Sequence, residues 1–144
     1  SKSLSDRLLT DLGAGKESFM RTFARRFGVK LLLEVDLAYK NVRDTSSGGV
    51  RIIWAQEDML RAVAQMPNDC SNFTLNGIGL ELITSREYHD ALAYELVRAT
   101  RPGGVIFGFG SDVSIYLKQY SQIVSRPLES SKVADCFIFQ KKEE

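Results

Sequence analysis

The chain has 144 residues, 44% of them hydrophobic and 26% charged, and its lysines and arginines exceed its aspartates and glutamates by one. That length closes one core and not two, so a single domain over 1–144 is expected, and the near-neutral balance creates no field that would make nucleic acid the dominant partner. No apolar run approaches the ~20 residues that cross a bilayer, and Cys70 and Cys136 lack a CxxC partner or a histidine cluster, which argues against a metal site and a disulfide framework.

Arg7 to Thr10 is a short apolar-centred strand that runs into Asp11-Leu12-Gly13-Ala14-Gly15. From Glu17 to Phe27 the spacing is helical: Phe19, Phe23 and Phe27 fall four apart with Met20 and Ala24 beside them, which assigns this stripe to the core, and Gly28 ends the helix. Arg21, Arg25 and Arg26 then occupy a face expected to be solvated. Val29 to Val35 is an apolar strand interrupted by Lys30 and Glu34 and stopped by Asp36. Leu37 to Gly49 holds at most two helical turns, followed by a loop from Asp44 to Gly49 and the strand Val50 to Trp54.

Met59 to Met66 is a short helix closed by Pro67-Asn68-Asp69, and Phe73 to Leu75 is a fourth strand ending at Asn76-Gly77-Ile78-Gly79. Tyr88, Ala91, Leu92, Leu96 and Ala99 keep helical spacing between Ser85, an N-cap candidate, and Thr100. Arg101-Pro102-Gly103-Gly104 breaks that helix before the strand Val105 to Phe109. Asp112 to Tyr120 is a further helix; Gln122 to Arg126 and Ala134 to Gln140 are strands with no helix between them, so they pair antiparallel. The alternation predicts an α/β, doubly wound, mostly parallel sheet of about seven strands with an antiparallel C-terminal hairpin.

Ligands of such sheets bind beyond the carboxyl ends of the strands, where strand order reverses. There Gly13 and Gly15 permit a sharp turn and close backbone approach, and Asp36, 21 residues after Gly15, is placed to accept ribose hydroxyls. After the third strand comes Gln56-Glu57-Asp58-Met59, in which a carboxylate can accept from an adenine amine.

Glycine turn, ribose acid and adenine acid, in this order, resemble the class I S-adenosylmethionine-dependent methyltransferases, a Rossmann-like family. Asp11 to Gly15 is similar to the family's first motif, Asp36 to the acid at the end of its second strand, and Asp58 with Met59 to its adenine-side pair. Glu95-Leu96-Val97-Arg98-Ala99-Thr100-Arg101-Pro102-Gly103-Gly104-Val105 is similar to its helix, Pro-Gly-Gly turn and fifth strand, so the resemblance covers nearly the whole chain. It implies S-adenosylmethionine as cofactor, bound by Asp11, Gly13, Ala14, Gly15, Asp36, Leu37, Asp58, Met59, Asn76 and Gly77, with the last two beside the methyl group. Glu17, where the family has a third glycine, and the short second crossover, where a sheet-covering helix is trimmed, depart from the pattern.

Methyl transfer needs alignment and exclusion of water more than a base; Asn76, Glu81 and His89 are the candidates for a chemical role, although a lone histidine on a helix opening with Ser-Arg-Glu-Tyr is expected at the surface. Trp54 is either an adenine neighbour or a packing residue. The expected acceptor is a small molecule in preference to a macromolecular side chain, with Ile78 to Thr84 as the lip of its site. A catalytically inactive partner subunit is the alternative, as is a partner chain that completes the substrate site. A nicotinamide-dependent oxidoreductase fits Gly13, Gly15 and Asp36 but not Ser18, and it leaves Asp11 and the Pro-Gly-Gly turn without a role. Cytoplasmic localisation is expected, with no membrane partner; the opening Ser1-Lys2-Ser3, without a Met, reads as a cleavage scar or the cut edge of a longer chain.

Overall fold

Strand and helix alternate along most of the chain, and the apolar runs assemble into one sheet in a computed structural model that describes residues 8–15, 20–40, 42–75, 85–109, 113–126 and 136–143. The strands are β1 (Leu8–Leu12), β2 (Leu31–Val35), β3 (Arg43–Ser47), β4 (Val50–Ala55), β5 (Asn72–Leu75), β6 (Val105–Phe109), β7 (Ile123–Ser125) and β8 (Cys136–Lys141). The helices are α1 (Met20–Arg26), α2 (Met59–Ala64), α3 (Arg86–Ala99) and α4 (Val113–Leu117). Sheet order is β3-β4-β2-β1-β5-β6-β8-β7. From β4 through β6 the pairing is parallel, with Leu9 opposite Leu32 and Asn72, and Leu12 opposite Val35 and Leu75. Strand order reverses between β1 and β5, so the turn after β1 opens at the switch point.

The doubly wound sheet and its C-terminal hairpin match the sequence expectation, and two details sharpen it. Strand β8 runs antiparallel between β6 and β7, so the hairpin's final strand is internal and β7 is the edge. The segment read as a loop from Asp44 to Gly49 contains an eighth strand, β3, antiparallel to β4. Gly48 and Gly49, at φ 58° and 81°, form the left-handed pair of a two-residue hairpin turn, and β3 is so polar and exposed that no apolar alternation marks it. This hairpin takes the place of the trimmed crossover helix.

Alternation along the strands divides the core into two layers. On one face α2, α3 and α4 cover Leu12, Val35, Phe73, Leu75, Ile106 and Phe139. On the other, α1 sets Met20 and Ala24 on Leu9, Leu32 and Ile52. The aromatic stripe assigned to the core is corrected here: Phe23 and Phe27 are 43% and 65% exposed, because Met20 and Ala24 define the inward direction of a helix with only two turns. Phe19 lies outside the described residues. Arg21 is corrected too, since it turns inward to Glu34 and away from the solvated face. The Val29 N–H to Ala24 carbonyl bond, 3.0 Å, closes α1 across Gly28 as a Schellman-type end. No helix among the described residues is long and apolar enough to cross a membrane.

Candidate functional site

Parallel strands β1, β2 and β4 lie side by side next to the switch point, and the chain after each carries the polar residues of this corner. Asp11 is the penultimate residue of β1 and not part of the turn: fully buried, it accepts the Thr74 hydroxyl across the β1–β5 pair at 2.8 Å. The turn itself is Gly13-Ala14-Gly15, with both glycines near φ +70° and open space where a Gly15 side chain would stand. Its backbone is anchored to the exit of β2. Gly13 and Ala14 donate to the Val35 carbonyl at 2.8 and 3.2 Å, and Gly15 donates to Asp36 Oδ2 at 2.8 Å. Asp36 Oδ1 accepts from the Ala38 N–H at 2.9 Å, an Asx-type turn that fixes the carboxylate. Each of its oxygens keeps a second lone pair for a ligand.

Tyr39, Glu34, Arg21 and Arg43, which carried no site assignment in the sequence, complete this corner together with Trp54, whose role the sequence left open between adenine neighbour and packing residue. The Tyr39 hydroxyl donates to the Gly15 carbonyl at 2.6 Å and lies 3.3 Å from Glu34 Oε2. Glu34, fully buried, accepts both Arg21 Nε and Nη2, at 2.8 and 2.9 Å. Trp54 stacks on Tyr39 with ring centroids 4.9 Å apart, and the Arg21 and Arg43 guanidiniums sit 5.2 and 4.9 Å from the indole centroid. Burial, and then the Glu34 charge, push the Tyr39 hydroxyl above the ordinary tyrosine range. The one legible signal was Glu34 itself, because a carboxylate within an apolar strand demands a cationic partner.

At the end of β4, Asp58 is the N-cap of α2: its Oδ2 accepts the Arg61 N–H at 3.1 Å and its Oδ1 takes the Tyr88 hydroxyl at 2.6 Å. Burial, followed by the bond to Asp58, raises the Tyr88 hydroxyl above its ordinary range. Met59 is half-buried at the start of α2, whereas Leu37 is 65% exposed; the Gln56 amide donates to the Leu37 carbonyl at 3.3 Å and ties the two strand ends together. His89 is 7% exposed, which corrects the surface expectation: its ring stacks on Tyr116 in the seam between α3 and α4, with centroids 5.9 Å apart. Glu17, Asn76, Gly77, Glu81 and the lip from Ile78 to Thr84 lie outside the described residues. Among the described residues no group of three histidine, cysteine or acidic side chains could hold a metal ion.

No protein-family model and no curated protein matches this chain. Solved structures do match. The antibiotic-resistance methyltransferase Kmr is 16% identical with a TM-score of 0.62, the match covering 94% of this chain and 86% of that one. The N-methyltransferase NodS from Bradyrhizobium japonicum is 15% identical with a TM-score of 0.61, over 94% and 86% of the two chains. A SAM-dependent methyltransferase from Methanosarcina mazei is 13% identical with a TM-score of 0.61, over 95% and 93%. At these identities the likeness defines the fold: it is that of the class I S-adenosylmethionine-dependent methyltransferases.

Proposed function

We propose that the chain binds S-adenosylmethionine at the ends of β1, β2 and β4 and transfers its methyl group to an acceptor, a small molecule in preference to a macromolecular side chain. The observation that carries this reading is the bond between Gly15 N–H and the Asp36 carboxylate, which joins the glycine turn and the ribose acid into one preformed unit at the switch point. When bound, the cofactor supplies a methyl group on a sulfonium, open to in-line displacement. Gly13, Ala14 and Gly15 lend a backbone that a ligand can approach closely, and Asp36 accepts the ribose hydroxyls with its unused lone pairs. Leu37 and Met59 flank the adenine and Asp58 accepts its amine. Asp11 acts from beneath the turn, and the family resemblance assigns Asn76 and Gly77, which lie outside the described residues, to the methyl group. Asn76, Glu81 and His89 are the candidates for contact with the acceptor.

Calorimetric titration with S-adenosylhomocysteine, with NAD as control, tests this assignment. Binding of the first alone is expected, and Asp36→Ala should weaken it about a hundredfold through the loss of two charge-assisted hydrogen bonds. Binding of NAD alone would move the site to the oxidoreductases. One observation favours a second reading, a non-catalytic partner subunit: each oxygen of Asp36 and of Asp58 already accepts one bond from the protein, so both acids serve the fold whether or not a ligand is bound. Silence toward both ligands would select it.

A further inference from the structure

We propose that Tyr88 is a positioning residue of the cofactor site: its hydroxyl holds the Asp58 carboxylate in the orientation that accepts a purine 6-amino group, and so sets a preference for adenine over a 6-oxo purine. This inference rests on the proposed function, in which Asp58 faces the adenine of S-adenosylmethionine. Each oxygen of the two acids at the site accepts a bond from the protein. Asp36 takes both of its bonds from backbone, the Gly15 and Ala38 N–H groups at 2.8 and 2.9 Å. Asp58 takes one from backbone, the Arg61 N–H at 3.1 Å, and the other from a side chain 30 residues away, the Tyr88 hydroxyl at 2.6 Å. Of these bonds, the one from Tyr88 alone can be removed by a substitution that leaves the acid in place.

The tyrosine is itself held still. Its N–H donates to Ser85 Oγ at 3.2 Å, which fixes it in the first turn of α3, and its ring packs against the core that α2 and α3 share. The hydroxyl donates to Asp58 Oδ1 and accepts the Leu60 N–H at 3.3 Å, so tyrosine and aspartate together cap the Leu60 and Arg61 N–H groups of α2. Burial raises this hydroxyl above its ordinary range, so it stays a donor at neutral pH. The capping bond on Oδ2 alone leaves the carboxylate free to turn about that contact; the second bond, on Oδ1, removes the freedom. An acid ordered before binding adds no ordering cost when the ligand arrives. A carboxylate accepts and does not donate, so at a fixed position it attracts an exocyclic amine and repels an oxo oxygen. A tyrosine that served only to tie α2 to α3 would leave that choice untouched.

The test titrates the whole chain, by calorimetry, with S-adenosylhomocysteine and with S-inosylhomocysteine, which carries oxygen in place of the 6-amino group. The parent is expected to bind the first at least about tenfold more tightly. In Tyr88→Phe the affinity for the adenine ligand should fall about fivefold, the effect of ordering one side chain on binding, while the 6-oxo ligand keeps its affinity within about twofold. Ser85→Ala keeps the hydroxyl but loosens the turn that aims it, so it should lower the ratio in the same direction and by less. Melting curves of both variants read their effect on stability separately. A ratio unchanged in Tyr88→Phe, or in Ser85→Ala where only that variant folds, would overturn the positioning role, as would an equal loss for both ligands. Tighter binding of S-adenosylhomocysteine by Tyr88→Phe would also overturn it, because the hydroxyl would then be a competitor for the carboxylate. A parent that binds both ligands alike removes the preference itself. A parent that binds neither overturns the proposed function, and this inference with it.

Discussion

Replacing Arg21 with methionine strands a carboxylate where water does not reach. Glu34 is 0% exposed and accepts two charge-assisted bonds from the guanidinium, at 2.8 and 2.9 Å. Breaking such a pair from one side costs about 3–5 kcal/mol, because the remaining ion keeps its desolvation penalty and loses its partner. The Arg21 side chain is 28% exposed, so the charge is partly shared with solvent and the low end, about 3 kcal/mol, is the expected loss. In urea, with a slope of about 2 kcal/mol/M, the midpoint falls by about 1.5 M at unchanged slope. The double variant Arg21→Met/Glu34→Leu removes the stranded charge as well and should recover most of the loss, since apolar replacement of a buried pair is close to neutral. Far-UV circular dichroism follows both transitions without relying on Trp54, which touches the site. A double variant no more stable than Arg21→Met, or a single variant within about 1 kcal/mol of the parent, would refute the buried-pair argument.

Two further outcomes follow from the same reasoning about buried polar groups. Tyr39 and Tyr88 both have hydroxyls raised above the usual range of about 10 by burial and a carboxylate neighbour, so their contribution to stability is complete below that pH and disappears as pH climbs through the folded-state values. Absorbance at the tyrosinate band should show a late step coincident with unfolding, and Tyr39→Phe/Tyr88→Phe should remove that step. Lys141, with an 11% exposed side chain, donates to Asp69 at 2.8 Å and to the Val97 and Thr100 carbonyls at 2.7 and 2.9 Å, closing the end of α3; Lys141→Met should cost about 2–3 kcal/mol, read from thermal melts.

Local chemistry made most elements legible. Ser85 caps α3 as expected, its hydroxyl accepting from the Tyr88 N–H at 3.2 Å, and β6 occupies Val105 to Phe109 as read. Strand β3 was invisible for a physical reason: an exposed edge strand buries no face, so its sequence carries no period, and only Gly48-Gly49 marks the turn that pins its register. The spacing of Phe23 and Phe27 misled in the opposite sense. A period of four shows that residues share a side of a helix, but what covers that side is decided by the rest of the fold. The site divides in the same way. Gly13, Gly15, Asp36 and Asp58 are adjacent in chain order to strand ends and could be found by spacing, whereas Tyr39, Trp54 and Arg21 meet only because β1, β2 and β4 lie side by side.

That adjacency bears on how the glycine turn works. Its N–H groups are already satisfied by Val35 and Asp36, and its last carbonyl by Tyr39, so the turn holds its shape with no ligand to complete it. Rigidity before binding lowers the entropic cost of ordering the site. Asp36 is the carboxylate that clamps the turn, and under the proposed function the same group is the ribose acceptor. The buried Glu34–Arg21 pair beneath Tyr39 then belongs to the fold and the site at once: the residue most foreign to an apolar strand is what holds the tyrosine against the turn.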